Sequence, residues 1–481
     1  MHWRAVIRLF GILLLLYSLS FVPSVGVSWL YADGQAWVFG WSLLLTAGAG
    51  AVLWLPNPRA DAHLSMRDGF FVVTLFWVVL GGVGALPFIL GLKLRFVDAL
   101  FESISGFTTT GATVLVGLDR LPPSILYHRQ QIQFLGGMGV IVLAVAILPL
   151  IGGGGNQLYR AETSGVAKHE KLTPRIAETA RALWAIYTGL TLACALAFWM
   201  AGMSVFDAIG HAFAAVSTGG FSPHDASIGY FDSPLIEGIA IVFMLAGGVN
   251  FAVHFVAWHR RQPGAYLRDP EARVYGAIFL GATLFMTLGL AMTHTYDSVL
   301  QALRHAAFQV ASILTSTGFG TATFAEWPLH LPLTLVALSF VGGCVGSTAG
   351  GMKVLRVMLI AKQGVRELFL LAHPQALAVV KLGKRPIDAP TLSSVWGFAA
   401  LYLLTTSILT VAMMALGLDF ESALGAVAAT INLTGPGLGA VATTFAGVGA
   451  EVKWLAIFAM LVGRLEVFTL LILFLPAYWR H

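Results

Sequence analysis

The 481-residue sequence has little charge and almost no cysteine. Lys, Arg, Asp and Glu together make up 11% of the chain, whereas a soluble globular protein carries about 25%. The two cysteines, Cys194 and Cys344, both lie in apolar stretches, which argues against a disulfide framework and a thiolate metal site. Because apolar residues make up 57% of the chain, the shortage of charge also argues against a soluble multidomain enzyme. The composition predicts a polytopic membrane protein.

Motifs for cofactors and catalysis are missing as well. The sequence contains neither a GxGxxG nor a P-loop lysine motif, so we expect no nucleotide or other cofactor on this chain. The apolar stretches hold no cluster of His, Asp or Glu at catalytic spacing, which argues against an enzyme. His211, His254 and His305 lack a second His or carboxylate at ligand spacing, and we expect them to be packing residues.

Ten stretches are long and apolar enough to cross a bilayer, which requires about 20 residues of helix. They run at 7–30, 36–56, 69–91, 131–151, 180–202, 234–257, 274–293, 331–361, 391–417 and 452–477. The first resembles a signal peptide, but its apolar run is long enough to favour a retained span. We therefore predict an all-α polytopic membrane protein.

The basic residues predict the orientation. With the N-terminus inside, 21 of the 28 Lys and Arg residues fall on the inner face, as the positive-inside rule requires. Both termini are therefore predicted to lie in the cytoplasm. The same distribution explains the net charge of +5 without a nucleic-acid partner.

Four of the predicted outer connections contain a short apolar stretch that leads into a Thr-Gly dipeptide. The stretches are 97–113, 206–222, 303–320 and 420–437, and each is too short to cross a bilayer. A second glycine follows each Thr-Gly after 24 to 28 residues, inside the next span, at Gly136, Gly247, Gly342 and Gly463. The matched spacing predicts one structural unit that is repeated four times.

The repeated unit predicts a pore. Irregular backbone at membrane depth is tolerated only where protein shields it or where it lines a water-filled cavity. Four such loops on one axis would present rings of backbone carbonyls, and such rings replace the hydration shell of K⁺ in selectivity filters. The alternative is four short interfacial helices, each ending at a glycine cap.

Several longer strings resemble the membrane subunit of Trk-type potassium uptake systems, in the superfamily shared with the Ktr and HKT transporters. They are LGGMGVIVLAVAILP (135–149), QLYRAET (157–163), KLTPRIAETA (171–180), GGFSPHDASIGYFDS (219–233) and HPQALAVVKLGKR (373–385). The resemblance implies four pseudo-repeats of helix, pore helix, filter loop and helix around one pore, and a homodimer of such chains. It divides the chain into two extra N-terminal transmembrane helices (1–60) and repeats at 61–160, 161–265, 266–385 and 386–481.

The resemblance also implies which residues bind K⁺. Written in register, the loops are Thr109-Thr110-Gly111-Ala112, Ser217-Thr218-Gly219-Gly220, Ser316-Thr317-Gly318-Phe319 and Leu433-Thr434-Gly435-Pro436. The implied K⁺ ligands are the carbonyls of the Thr-Gly pairs, that is Thr110, Gly111, Thr218, Gly219, Thr317, Gly318, Thr434 and Gly435. Since only the pair recurs, we expect one ring that is common to all four loops.

The eighth span is predicted to break. Gly342, Gly343, Gly346, Gly350 and Gly351 form a Gly-rich segment at 342–351, and so many glycines disfavour a helix. The alternative is a small-residue packing face of the GxxxG kind. The resemblance implies an intramembrane gating loop at this place.

Arg464 is the one basic residue that the sequence places deep in a span, where a charge is costly. Its place next to Gly463 predicts that it lies level with the Gly-rich segment, where a fixed positive charge would raise the barrier for cations. The alternative is a buried arginine that ties helix ends together through carbonyl groups.

Carboxylates stand near the start of three of the short stretches. Asp98, Asp207 and Glu421 are predicted to cap exposed helix amides there. Arg304 takes this place in the third stretch.

Taken together, the sequence predicts K⁺ uptake across the bacterial inner (cytoplasmic) membrane through a fourfold filter. The inner segment 353–385 carries seven Lys or Arg residues, which suits lipid headgroups. The resemblance implies that a cytosolic, nucleotide-binding regulatory subunit (TrkA-like) docks on this segment and acts on the gate. The alternative is an ion-coupled secondary transporter that moves K⁺ with H⁺ or Na⁺ through the same pore.

Overall fold

The computed structural model describes residues 2–57, 66–146, 176–328, 330–383 and 385–480. Several of the predicted features lie partly or wholly outside these ranges: the string 157–163, most of the string 171–180, the ends of the string 135–149 and of the span at 131–151, and residue 384 of the string 373–385. Within the described part of the chain, the regular secondary structure is helical, apart from one short antiparallel hairpin of β1 (Lys381–Leu382) and β2 (Arg385–Pro386).

Three helices precede the repeated part of the chain. They are α1 (Trp3–Ser18), α2 (Phe21–Tyr31) and α3 (Ala36–Trp54). α1 and α2 together form one apolar span of 29 residues, and α3 forms a second. α1 packs along α3 through two glycines, since a Cβ atom at Gly50 would lie 2.9 Å from the carbonyl oxygen of Gly11. These two stretches overlap the first two predicted spans, 7–30 and 36–56.

Four short helices alternate with longer apolar helices in the rest of the chain. The short helices are α6 (Phe96–Phe107), α9 (Val205–Val216), α14 (Val299–Leu314) and α18 (Phe420–Ile431). The helices before them are α4 (Met66–Val83), α8 (Ile176–Met200), α13 (Pro270–Met292) and α17 (Ala389–Ala415). The helices after them are α7 (Pro123–Ala146), α10 (Pro234–Gly247), α15 (Leu331–Ser339) and α19 (Ala450–Arg464). The remaining helices are α5 (Leu86–Leu92), α11 (Phe251–His259), α12 (Ala265–Arg268), α16 (Val354–Ala372), α20 (Phe468–Leu471) and α21 (Pro476–Trp479).

The short helices pack in the same way in all four units. Each contacts the long helix before it, the helix after it, and the helix that follows the short helix of the preceding unit. The preceding unit of the first is the fourth, because α6 packs against α19. One buried apolar cluster accordingly joins α6 to α17, α18 and α19 through residues such as Phe107, Tyr402 and Met460. The contacts therefore close into a ring.

The long helices differ in how far they continue without a break. Among the described residues, six helical stretches are long and apolar enough to cross a membrane, and two further pairs pass only as bent spans. α10 and α11 meet at 100°, and α19 meets the segment Phe468–Phe474 at 110°. The predicted eighth span is divided into α15 and α16, with residues 340–353 between them outside any helix. Sequence reasoning predicted this last break but not the two bends.

The N-terminus, the first turn of α4 and the C-terminus meet at one end of the molecule. The His2 ring contacts the Asp68 carboxylate at 2.8 Å. The Arg67 guanidinium donates to the carbonyl oxygen of Arg480 at 2.7 Å. Both termini therefore lie on the same side of the helical array.

Candidate functional site

Each of the four short helices ends in the same backbone turn, and we call the residues of these turns the Thr-Gly loops. A φ of 53° to 59° occurs at Thr109, Thr218, Ser316 and Leu433, and a second positive φ, of 76° to 86°, at Gly111, Gly220, Gly318 and Gly435. The amide of the residue between them donates to the carbonyl oxygen five residues earlier, at Thr110, Gly219, Thr317 and Thr434. The shared dihedral angles and hydrogen bonds define which residues are equivalent.

The register predicted for the second loop is wrong by one residue. Gly220, and not Gly219, adopts the left-handed φ of the loop glycines, while Gly219 stands where the other loops have threonine. The Thr-Gly dipeptide is therefore not one ring common to all four loops. The sequence contained a signal for this shift, because a second glycine follows Gly219 directly. Either glycine can adopt the left-handed φ, so the alignment of the second loop with the others depends on its backbone dihedral angles and not on residue type.

The four loops touch one another in cyclic order. A Cβ atom at Gly111, Gly220, Gly318 or Gly435 would collide with, or lie within 2.8 Å of, a carbonyl oxygen of the next loop. Those oxygens belong to Gly219, Thr317, Thr434 and Thr110 respectively. Seven of the eight residues of the predicted K⁺ site take part in these contacts, with Gly220 in the place of Thr218. The residues before the four glycines are buried, as is Gly435, and the other three glycines are partly exposed. Only glycine allows backbones to approach so closely.

A buried ion pair braces the first loop from behind. The guanidinium Nε of Arg129 donates to Glu102 at 2.8 Å, and both side chains are almost fully buried. Glu102 also accepts from the Thr113 hydroxyl and the Val114 amide. Arg129 donates in addition to the carbonyl oxygen of Ser222 at 3.0 Å, beyond the second loop. The pair therefore links the ends of two neighbouring loops.

The same position supplies the brace in two more units. Glu102, His211 and Gln309 each lie five residues before the end of their short helix. The His211 ring contacts the Ser222 hydroxyl at 3.0 Å, and the Gln309 amide donates to the carbonyl oxygen of Ala322 at 2.8 Å. Polar groups inside three of the four short helices thus hold the chain that follows the loop.

Sequence reasoning missed these braces and misplaced Arg129. The positive-inside count assigned Arg129 to an outer connection, but it lies within α7 and is 1% exposed. Arg464 is therefore not the only basic residue deep in a helix. The available signal was Glu102, a carboxylate in the middle of a mostly apolar stretch of twelve residues, which calls for a buried partner.

The capping prediction is wrong for the carboxylates that it named. The side chains that cap the short helices are Ser204, Ser298 and Asp419. Asp98 instead binds the Lys453 ammonium at 2.7 Å. Arg304, which replaces the carboxylate in the third unit, forms ion pairs with Glu237 at 2.7 Å and Asp232 at 3.0 Å. It therefore ties the third unit to the second.

Three of the four matched downstream glycines share one role. A Cβ atom at Gly136, Gly247 or Gly463 would collide with, or closely approach, the carbonyl oxygen of the last residue of a short helix. Gly342 departs from this prediction, because its Cβ atom would meet Gly350 inside the Gly-rich segment. The third unit lacks the contact because its helix breaks there.

The Gly-rich segment lies directly against the Thr-Gly loops. The predicted break of the eighth span is confirmed, and Gly342, Gly346 and Gly351 have positive φ. The Gly350 amide donates to the Ser316 hydroxyl at 2.5 Å. The Thr348 hydroxyl lies 3.1 Å from that of Thr218. Two of the four loops are thus hydrogen-bonded to this segment.

Arg464 reaches the Gly-rich segment, as predicted. Its Nη1 donates to the carbonyl oxygen of Thr348 at 2.9 Å, and its guanidinium lies over the Trp77 ring at 5.4 Å. Its Nε and Nη2 have no hydrogen-bond partner among the described residues. Glu466 pairs with Arg356 at 2.6 Å, and no ion pair joins Arg464 to a carboxylate among the described residues.

The histidines occupy structural positions. His254 contacts the Tyr266 hydroxyl at 2.8 Å and His305 the Thr321 hydroxyl at 3.2 Å, which confirms the packing role. Among the residues that the structure describes, no group of three or more His, Cys, Asp or Glu could hold a metal ion.

An outer clamp, missed by sequence reasoning, joins the connections of the first two units. The His224 ring lies between Asp119 at 2.6 Å and Asp207 at 3.2 Å and stacks on Tyr230 at 3.6 Å. Burial of the ring lowers the pKa of His224, but the hydrogen bonds to Asp207 and Asp119 outweigh burial and raise this pKa above its ordinary value. The charge of this clamp therefore depends on the pH of the surrounding solution.

Comparison with known proteins places these features in one family. The family model described as "TrkH: Cation transport protein" matches residues 38–481. The chain is 51% identical to the Trk system potassium uptake protein TrkH of Salmonella typhimurium, over the whole of both chains. It is 40% identical to the Trk system potassium uptake protein TrkG of Escherichia coli, covering all of this chain and 99% of the other. The crystal structure of the potassium transporter TrkH from Vibrio parahaemolyticus superposes with a TM-score of 0.93 at 48% identity, over the full length of both chains.

Proposed function

The chain belongs to the TrkH family of cation transport proteins, and on that premise we propose that it takes up K⁺ across the bacterial inner membrane through the ring of Thr-Gly loops. The relatives are named as potassium uptake proteins, and the apolar helices make this a multi-pass membrane protein. The observation that carries the proposal is the cyclic contact of four loops with one backbone conformation.

In the proposed filter, two rings of carbonyl oxygens bind the dehydrated ion. One ring comes from Thr110, Gly219, Thr317 and Thr434, and the other from Gly111, Gly220, Gly318 and Gly435. The corrected register thus adds Gly220 to the predicted ligands. Thr218 takes the position before the first ring, and its hydroxyl faces the Gly-rich segment.

We propose the Gly-rich segment as the gate and Arg464 as the residue that holds it closed. Irregular backbone at membrane depth is stable only where it is shielded or lines a cavity, and this segment rests on two of the filter loops. Arg464 donates to its Thr348 carbonyl and brings a buried positive charge that repels cations. Movement of the segment would remove both obstacles together.

The proposed architecture is a pseudo-fourfold pore built from repeats 61–160, 161–265, 266–385 and 386–481, with residues 1–60 outside the symmetry. The cyclic packing of the short helices supports it. Both termini are assigned to the cytoplasm, since they share one end of the molecule.

The proposed partners are a second copy of the chain and a cytosolic nucleotide-binding subunit (TrkA-like) that acts on the gate. The relatives' names place them in a Trk system. In α16, directly after the Gly-rich segment, Leu368 and Leu371 are exposed. Such side chains are suited to an interface, and a pull on α16 would reach the gate directly.

Reconstitution of the chain in liposomes, with and without the regulatory subunit, tests the function. A reversal potential that follows the K⁺ gradient alone supports a channel. A reversal potential that shifts with an imposed pH or Na⁺ gradient supports the coupled transporter instead. Gly318→Ser adds a hydroxymethyl group against the Thr434 carbonyl, and K⁺ uptake of unchanged selectivity in this variant would refute the filter.

A further inference from the structure

We propose that Gln133 is a selectivity-determining residue of this pore, because it clamps the backbone on both sides of Gly220. The inference rests on the proposed filter function and concerns a residue that is not itself an ion ligand. Gln133 lies on α7, the helix of the first unit that packs against α9 of the second. Its side chain is fully buried.

The amide of Gln133 makes two hydrogen bonds to the second loop. Its Nε2 donates to the carbonyl oxygen of Gly219 at 2.5 Å, and its Oε1 accepts from the Phe221 amide at 3.0 Å. A backbone carbonyl only accepts and a backbone amide only donates, so one orientation of the side-chain amide satisfies both. Gly220 is therefore held from both sides by one rigid planar group.

This clamp explains why the second loop departs from the others. A Cβ atom at Gly219 would lie 2.5 Å from Cδ of Gln133, so the amide fills the space that a threonine would need. In the first loop, Thr110 uses that space and bonds to the Thr108 hydroxyl at 2.7 Å. Thr317 does the same with Thr315 at 2.6 Å. The second loop is thus held by a side chain of the neighbouring unit, whereas the first and third loops use threonine side chains of their own.

The equivalent positions on two other long helices are apolar. Gln133 lies three residues before Gly136, and the residues three before Gly247 and Gly463 are Met244 and Met460. Both methionines are fully buried. Methionine is therefore the replacement that the fold already accepts at this position, and it has no amide with which to clamp a loop.

The clamp has a direct consequence for ion discrimination. A ring of carbonyl oxygens that binds K⁺ discriminates against Na⁺ only if it does not contract around the smaller ion. Gln133 resists such contraction at Gly219 and Gly220, since movement of either would break a buried hydrogen bond. Without the clamp, the second loop would follow a smaller ion inward.

The test is the K⁺/Na⁺ permeability ratio of Gln133→Met, measured from reversal potentials of the reconstituted protein. Since both hydrogen bonds to the second loop are lost, we expect the ratio to fall about tenfold, which corresponds to about 1.4 kcal/mol of discrimination between the two ions. The ratio does not depend on how many molecules are active, so a lower yield of folded protein leaves it unchanged. Gln133→Glu retains the acceptor but loses the donor when ionised, and is expected to lower the ratio as well.

Gln130→Met is the matched control. Gln130 lies one turn away on α7 and is also fully buried, but its amide atoms have no hydrogen-bond partner among the described residues. We expect it to keep the wild-type ratio. The double variant Gln133→Met with Gly219→Thr gives the second loop its own threonine, and is expected to recover part of the loss.

Two results would overturn the inference: a wild-type ratio in Gln133→Met, or an equal fall in Gln130→Met. A wild-type protein without K⁺ selectivity would instead refute the proposed function itself. The two failures are therefore distinguishable in one set of recordings.

Discussion

The Thr-Gly loops and the Gly-rich segment are both irregular backbone at membrane depth, yet they are held very differently. Each loop glycine packs against a carbonyl of the next loop, and the first loop has a buried ion pair behind it. The Gly-rich segment is held to the loops by the Thr348 hydroxyl and the Gly350 amide, and to α19 by Arg464. Glycine therefore serves close packing in both regions, and in the Gly-rich segment it also interrupts a span.

This difference predicts unequal responses to substitution. Changes in the loops and their braces should reduce stability or selectivity, because no alternative packing is available to a closed ring. Changes in the contacts of the Gly-rich segment should leave the fold intact and alter only how often the pore is open.

The largest expected effect is on the brace of the first loop. Arg129→Met leaves the Glu102 carboxylate buried without its partner, which should lower the free energy of unfolding by about 3–5 kcal/mol. Thermal unfolding in detergent measures this loss. The double variant Arg129→Met with Glu102→Gln removes both charges and should recover much of it. A double variant no more stable than Arg129→Met would show that the ion pair is not the brace.

Gly220→Ala tests the corrected register. The added methyl group would collide with the Thr317 carbonyl and force alanine into a φ of 76°, a combined strain of about 3 kcal/mol. We expect K⁺ uptake to fall by about a hundredfold. Gly117→Ala is the control, because Gly117 has a φ of 70° but open space around it. Equal losses in both variants would contradict the packing argument.

Much of the fold follows from the sequence, because long apolar runs and a recurring dipeptide are local signals. The exact register does not, since Gly219 and Gly220 are both glycine and only contacts with Gln133 and Thr317 distinguish them. The brace between Glu102 and Arg129 joins residues on different helices, so no local pattern contains it. The bend after α19 also escaped, because Glu466 and Val467 adopt positive φ in a sequence without a helix breaker.

Arg464→Ala tests the contacts that hold the Gly-rich segment. It removes a charge-assisted hydrogen bond to the Gly-rich segment, of about 2 kcal/mol, together with the positive charge. We expect K⁺ flux in proteoliposomes to rise by about tenfold or more at equal protein content, with an unfolding temperature close to that of the wild type. Arg464→Lys retains the charge, and its K⁺ flux should rise less. Unchanged or lower flux in Arg464→Ala would argue against the gate.

Thr348→Val should have a smaller effect of the same sign. It removes the hydroxyl contacts to Thr218 and to the Val216 carbonyl at 3.0 Å, which together stabilise the closed segment by about 1 kcal/mol. The flux should rise by about fivefold. Ser347→Ala is the control. The Ser347 hydroxyl donates to the carbonyl oxygen of Cys344, which lies in the break between α15 and α16, and it does not bond to a loop. A larger rise of the K⁺ flux in Ser347→Ala than in Thr348→Val would show that the segment is kept closed by bonds within itself and not by bonds to the loops.

The smallest expected effect concerns the outer clamp, which belongs to the braced side of the comparison. Because the folded protein raises the pKa of His224, the clamp's contribution to stability is fully present below the ordinary pKa of about 6.5. It is lost as the pH rises through the raised value. The unfolding temperature should therefore fall slightly from pH 6 to pH 9, and His224→Gln should remove that part of the slope while leaving K⁺ selectivity unchanged. An identical slope in His224→Gln would assign the pH dependence to another group.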